Sequence, residues 1–318
     1  MDEPKITIKK LIPWFLATGV AWSLGFIYNV YYGGELSWLR RMYFQKIAIA
    51  ESVTASPRLL IVGGSGAHYT IDSDLLQQKL GIPVVNLGLD GPIGLNVILP
   101  SILEQVKPGD IVLLIPEYLI LLDQDGLGDR STNFSVAIGE PGIGDIPPKQ
   151  FLQDLIALGI PSLRAVAKST VDVATEGEFT GYYSDPITDK GDPIAIKERR
   201  NRWWKLPIEQ SISQNAYERI LQFKQEVAAK DATLILSLPW VYGSDSEATV
   251  KSVKRTAYYL SQIAPTIYDK ESLNIQDNVD YFADTHYHLM PEGRKVRARQ
   301  LAAELKPIIA QQTEDISN

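Results

Sequence analysis

From Leu11 to Gly34 the chain carries no charged residue, and no other stretch restricts the fold as much. The run LIPWFLATGVAWSLGFIYNVYY is 22 residues long. An α-helix rises about 1.5 Å per residue, so this length crosses a hydrocarbon core of roughly 30 Å. The run has no polar face, which argues against an amphipathic helix of a soluble core. Trp14 near one end and Tyr28, Tyr31, Tyr32 and Trp38 near the other stand where amphipathic rings favour the lipid–water boundary, and Pro13 falls in the first turn, where its missing N–H is tolerated. The segment reads as one transmembrane helix, with the lipid bilayer as the partner of residues 11–32. Ala48-Ile49-Ala50 has the small-x-small form of a signal-peptide cleavage site. It lies 16 residues beyond Tyr32, however, and the apolar run is longer than the usual core of such a peptide, so the sequence predicts an uncleaved anchor. Lys5, Lys9 and Lys10 on one side nearly balance Arg40, Arg41 and Lys46 on the other, so the positive-inside rule does not choose an orientation.

Composition removes several functions. Among 318 residues there is no cysteine and there are three histidines, His68, His286 and His288. Disulfide scaffolds, cysteine nucleophiles, cysteine-held zinc and iron–sulfur clusters are thereby excluded. The 31 Lys+Arg against 38 Asp+Glu give a net charge of −7, and no long basic run offsets it, so nucleic acid is not an expected partner.

After a polar, helix-compatible connector at 35–56, the pattern becomes alternating βα. Short apolar runs stand at LLIV (59–62), IPVVNL (82–87), DIVLLIP (110–116), TLILSLP (233–239) and PTIYD (265–269), with amphipathic helical stretches near 70–80, 216–230 and 246–263. Short apolar strands separated by amphipathic helices imply a mostly parallel, five-stranded sheet covered on both faces, in the α/β class. The block at about 123–215 interrupts this rhythm with turn-rich pieces around a helical piece near 149–170, and reads as an insertion or lid. The tail at 312–318 is polar.

Ligands of an open α/β sheet bind beyond the carboxyl ends of its strands. Two turns there carry chemistry. Gly63-Gly64-Ser65-Gly66-Ala67-His68 follows the first strand, and Asp284-Thr285-His286-Tyr287-His288-Leu289 precedes the helix opened by Pro291-Glu292-Gly293. A glycine-flanked serine in a strand-to-helix turn presents an uncrowded hydroxyl, which needs an imidazole oriented by a carboxylate to remove its proton. The N–H of Gly88, in the turn after the second strand, is a candidate oxyanion donor.

These residues resemble the SGNH (GDSL-like) hydrolase superfamily over roughly 57–311, leaving out the insertion. The resemblance implies a flavodoxin-like three-layer α/β/α sandwich, with Ser65 as nucleophile, the N–H groups of Ser65 and Gly88 as oxyanion donors, and His288 as base beside Asp284. The sequence HLMPEG supports His288, because the histidine lies five residues before a glycine as in that family. Asp-Thr-His at 284–286 is similar to the motif of alginate O-acetylation proteins, which keeps His286 as an alternative base. Those proteins and the D-alanine-transfer protein of teichoic acids share the layout of an N-terminal helix before such a domain. Three departures stand out: the first block has Gly64 for the family's Asp before the nucleophile and Ala67 breaking the G-x-S-x-G form; the Asn expected after the third strand is absent where the chain reads IPEY, with Glu117 nearby; and Asp284 precedes His288 by four residues where the common pattern has three.

The other readings are less demanding. The glycine loop has neither G-x-G-x-x-G nor G-K-[ST], which argues against a phosphate cradle. The alternating Asp284, His286 and His288 would suit a metal, but no third ligand set is evident, so neither metal nor cofactor is expected. His68 reads as a first-turn helix residue or pocket wall, and Asp90 and Glu117 as solvated or capping acids. The run 197–205 is either a partly solvated amphipathic helix or a surface for sugars or anionic headgroups, with Arg202, Trp203 and Trp204 as substrate-binding residues. The expectation is a single-pass, membrane-anchored serine esterase or O-acyltransferase acting on an acyl ester of an envelope glycan or lipid, with its domain on the periplasmic side. The rival is a non-catalytic module binding a glycan or a protein partner at the membrane.

Overall fold

The computed structural model describes residues 8–139, 146–177, 186–195 and 204–317. The chain divides into two compact units, one formed by 1–41, 132–139 and 143–184, the other by 42–131, 140–142 and 185–318. The segment expected as an insertion at 123–215 is therefore shared, its middle grouping with the N-terminal helix and its ends with the α/β unit.

In the first unit, α1 (Ile8–Ile27) continues into a wider turn at Tyr28–Tyr32, closed by the Gly33 N–H on Tyr28 O at 3.0 Å. Together they make one helix of 25 residues whose most apolar 18-residue window has a mean hydropathy of 1.5, long and apolar enough to cross a membrane. Trp14, Phe15, Leu16, Val20 and Leu24 are all exposed on it. α2 (Glu35–Ser52) follows, corresponds to the expected connector helix and passes from the first unit into the second after Arg41. Further along comes α7 (Ser131–Ile138), and the single helical piece expected near 149–170 is two helices, α8 (Pro148–Leu158) and α9 (Leu163–Glu176). The break lies at Gly159-Ile160-Pro161-Ser162: proline cannot continue the hydrogen-bond ladder, and Ser162 caps α9 by accepting the Ala165 N–H at 3.1 Å.

Within this unit the turn between α8 and α9 is tied to α1. The Trp22 indole N–H is shared between the carbonyls of Leu155 and Ile156, each at 3.2 Å, and Asn29 donates to Leu158 O at 2.6 Å. The Tyr28 hydroxyl bonds to Ser169 Oγ at 2.7 Å. Gly25 and Gly159 allow the approach: a Cβ on Gly25 would stand 1.9 Å from Gly159 O, and one on Gly159 would stand 2.0 Å from the Trp22 ring.

The second unit holds a sheet of five parallel strands. Numbered along the chain, β1 is Leu59–Val62, β2 Val84–Asn86, β3 Ile111–Leu114, β4 Thr233–Ser237, β5 Val241–Tyr242, β6 Thr266–Ile267 and β7 Ile275–Gln276. The sheet order is β2-β1-β3-β4-β6, and β5 and β7 form a separate parallel pair. All four residues of β1 and of β3 are buried, as expected of strands covered on both faces. Leu59, Ile61, Ile111, Leu113 and Ile235 face α4 (Ser73–Leu80) and α12 (Pro291–Ser317), burying Leu76, Leu301 and Leu305 with them. The alternate residues Leu60, Val62, Val112 and Leu114 are equally buried and point the other way. α10 (Gln214–Ala228) packs on α5 (Leu95–Leu103) and β4, and α11 (Glu247–Ser261) packs on β6. The polar 312–317 stretch continues α12.

Local chemistry fixes the ends of these elements. Asp72 caps α4 by accepting the Leu75 N–H at 2.9 Å, and Gly81 closes it in the left-handed conformation at φ 75°. Arg58 and Asp110, each immediately before a strand, meet across β1 and β3 through Nε–Oδ1 at 2.9 Å and Nη2–Oδ2 at 3.0 Å, both side chains 1% exposed. The pair locks the register Leu59 to Ile111.

Candidate functional site

β1 ends at Val62, and the glycine-rich turn leads into α3 (Ser65–His68), a single helical turn. β1 and β3 are neighbours, so the turn after β3 lies beside it. There Glu117, which precedes α6 (Tyr118–Leu121), points its side chain back to α3 and does not cap its own helix. Its Oε1 accepts the Ser65 hydroxyl at 2.7 Å and also the Gly66 N–H. The carboxyl is 1% exposed. Among the described residues its Oε2 has no hydrogen-bond partner.

The glycines make this burial possible. A Cβ on Gly64 would lie 2.2 Å from Glu117 Oε2, and one on Gly66 would lie 2.5 Å from Glu117 Cγ. The GGSG sequence therefore exposes no serine on a bare elbow; it builds a niche for a carboxyl. Burial pushes the Glu117 carboxyl up from its ordinary 4.5 to about 7, against the lowering hydrogen bonds of Ser65 and Gly66, and the nearby Asp90 charge adds to the rise. Asp90 is ion-paired with Arg130. The expectation of a solvated or capping acid at 117 is thus corrected. Glu117 was a strand-end acid in the sequence, but only the β1–β3 pairing makes it the partner of Ser65.

The second turn is closed by the antiparallel bridge between Phe282 and Leu289, with the Ala283 N–H on His288 O at 2.8 Å. Thr285 Oγ1 accepts the N–H groups of Tyr287 and His288 at 3.2 and 3.0 Å, which sets the loop. His288 Nδ1 lies 2.7 Å from Asp284 Oδ1. An ionised carboxylate only accepts, so Nδ1 carries the proton and Nε2 is left as the basic nitrogen. The ring packs on Tyr69 at a centroid distance of 4.2 Å, and the Leu289 N–H on Tyr69 O at 3.2 Å ties the loop to the end of α3.

His286 is held differently. Its Nε2 lies 2.9 Å from Trp204 O, its ring meets the Trp204 ring edge-on at 5.7 Å, and burial lowers its pKa, favouring the neutral ring. A carbonyl accepts only, so Nε2 is the protonated nitrogen here. Of the two histidines, His288 has the carboxylate and His286 has a place in the wall.

Ser65, Glu117, Asp90, Trp204, His286 and His288 line one cavity of about 600 Å³. Gly88 does not line it. Its N–H donates to Asn86 Oδ1 at 2.9 Å, and a Cβ there would lie 2.4 Å from His68 N, so Gly88 packs beneath α3. Asn86 is held in turn by Asp192 Oδ1 at 2.8 Å. The Gly88 N–H, expected as an oxyanion donor, is occupied within the fold. His68 is fully buried, its ring meeting that of Tyr69 edge-on at 4.4 Å. Arg202 and Trp203 lie outside the described residues; Trp204 is exposed at the cavity. Among the described residues, no group of three or more His, Asp and Glu side chains is placed to hold a metal ion.

In comparison with known proteins, no family model matches the chain, and no curated protein matches it significantly.

Proposed function

We propose that the protein is a membrane-anchored, SGNH-like ester hydrolase or O-acyltransferase, with Ser65 as nucleophile and His288, oriented by Asp284, as base. The observation that carries this reading is the convergence of Ser65 and the Asp284–His288 pair on one cavity at the carboxyl ends of the parallel strands. The all-parallel order β2-β1-β3-β4-β6 supports the flavodoxin-like sandwich.

In the resting state the Ser65 hydroxyl rests on Glu117. An ionised carboxylate at that position would oppose a second negative charge on Ser65, so the reactive form has Glu117 neutral. Ser65 Oγ gives its proton to His288 Nε2 and bonds to the acyl carbon. The tetrahedral oxyanion is stabilised by the Ser65 N–H and the Glu117 O–H, which takes the place of the missing Asn and of Gly88. Collapse expels the alcohol oxygen, which takes the proton from His288 and leaves an acyl-Ser65. Water or a sugar hydroxyl, deprotonated by His288, then attacks that ester and frees Ser65. Trp204 supplies an aromatic face for a glycan beside the cavity. The helix at Ile8–Tyr32 anchors the chain as a single span, with the domain on the periplasmic side.

Full-length protein in detergent treated with a fluorophosphonate probe tests the chemistry. Labelling of Ser65 that is lost in Ser65→Ala, with ester turnover, is expected. The bond of Ser65 to Glu117 and the occupied Gly88 N–H favour a second reading, a non-catalytic module for a glycan or protein partner. Absence of both labelling and turnover, together with saccharide binding, would establish that alternative. Protease protection in sealed membranes tests the side.

A further inference from the structure

We infer that the α8–α9 hairpin is a second membrane-seated element, lying in the lipid leaflet beside α1 as an interfacial hairpin. The inference rests on the reading of Ile8–Tyr32 as a membrane span.

The first argument is the direction in which α9 is amphipathic. Ala165, Ser169 and Asp172, spaced as one helical face, are buried, and the Asp172 carboxylate is paired with Lys168 at 2.9 Å. The outward side carries Leu163, Val166, Val171 and Val173 among the exposed Arg164, Lys168, Thr170, Thr175 and Glu176. Small groups inward with branched apolar and long charged side chains interleaved outward suits a helix at a lipid–water boundary better than one packed in water. At such a boundary small residues allow close helix approach and polar side chains bond across it. Gly25 against Gly159 and Tyr28 Oη to Ser169 Oγ at 2.7 Å are contacts of this kind, both made with the membrane helix.

The second argument is position. Between Asp154 and Arg164 no residue is charged, and around this turn Leu152, Ile156, Ile160 and Leu163 are 60–89% exposed. Trp22 and Gly25, which hold the turn, lie well inside the uncharged 11–34 stretch of α1. From Trp22 to Tyr32 a helix rises about 15 Å, the depth of one leaflet. The apolar tip therefore shares its level with the lipid-exposed surface of α1, and lipid is the partner that covers both. Lys149 and Lys168, each away from the tip, are exposed on the hairpin and long enough to reach headgroup phosphates from an interfacial helix.

The absence of native cysteine makes a direct test clean. The full chain, carrying single cysteines at Ile156, Leu163, Val20 or Glu271 labelled with the fluorophore NBD, is reconstituted in vesicles of phosphatidylethanolamine and phosphatidylglycerol. All four positions are exposed, so the label displaces no packed side chain. Ile156→Cys and Leu163→Cys are expected to give blue-shifted emission and several-fold stronger quenching by acyl-chain nitroxide lipids than Glu271→Cys, approaching Val20→Cys. The same two cysteines are expected to react several-fold more slowly than Glu271→Cys with a water-soluble maleimide. If Val20→Cys is quenched but both hairpin positions behave as Glu271→Cys does, the hairpin is not in the leaflet, although the anchor stands. If Val20→Cys is itself unquenched, the membrane span fails and the inference fails with it.

Discussion

The hydroxyl of Ser65 and the carboxyl of Glu117, 52 residues apart in sequence, share a 2.7 Å hydrogen bond in a niche walled by glycines. The carboxyl is buried, with 1% of it exposed. Its proton therefore links the folded state to pH, and the proposed chemistry to the same titration.

Burial holds the Glu117 carboxyl near 7 in the folded chain against an ordinary value of 4.5. Between those values the folded protein keeps a proton that the unfolded chain has released, so this group's contribution to stability falls as pH rises through that window and levels off above it. The difference in unfolding free energy between the natural chain and Glu117→Gln is expected to shift by about 3 kcal/mol against the natural chain from pH 4 to pH 8. Denaturant titrations of both proteins in the same detergent measure it; a pH-independent difference would show that folding leaves the Glu117 carboxyl at its ordinary value.

Asp284 and His286 separate the two candidate bases. Asp284→Asn leaves His288 without the carboxylate 2.7 Å from Nδ1, and Ser65-dependent ester turnover is expected to fall by about 10³–10⁴-fold. His286→Gln removes a ring bonded to the Trp204 carbonyl and packed against Trp204 and Tyr242, and kcat is expected to change by less than about ten-fold. Steady-state kinetics on a chromogenic ester distinguishes them, and the opposite ranking would make His286 the base.

Gly64→Ala places a Cβ 2.2 Å from Glu117 Oε2 and 2.7 Å from Gly91 Cα. A loss of about 1–3 kcal/mol is expected from this overpacking. Shortening the acid in Glu117→Ala removes the first clash, so the double variant is expected to lose less than the sum of the singles. A thermodynamic cycle reads that coupling directly.

Asp110→Ala leaves the guanidinium of Arg58 buried with its carbonyl partners but without the carboxylate, and also frees the Lys107 N–H that bonds Asp110 Oδ2 at 2.8 Å. A loss of about 3–5 kcal/mol is expected, as for other half-removed buried pairs. Equilibrium unfolding measures it. A loss below about 1 kcal/mol would mean that water reaches Arg58.

Apolar runs and helical periodicity are local properties, and they determined the membrane-length helix, all five strands of the parallel sheet and the helices near 70–80, 216–230 and 246–263, while α5 between β2 and β3 went unread. They also located Ser65 at a strand end and put Asp284 and His288 in one short loop, because a strand-end turn and a four-residue separation can be read along the chain. Partnership across the sheet is not local. Which acid meets Ser65 depends on β3 lying beside β1, and that order comes from long-range packing, so Glu117 looked like any strand-end carboxylate. The N–H of Gly88 was unreadable for the same reason, since its fate depends on how the Asn86 side chain turns under α3. The helical piece near 149–170 was visible as helix, but which of its faces is buried emerges only when Gly159 meets Gly25 and Ser169 meets Tyr28. Sequence pattern reports which residues share a face; only the tertiary structure decides what that face is turned against.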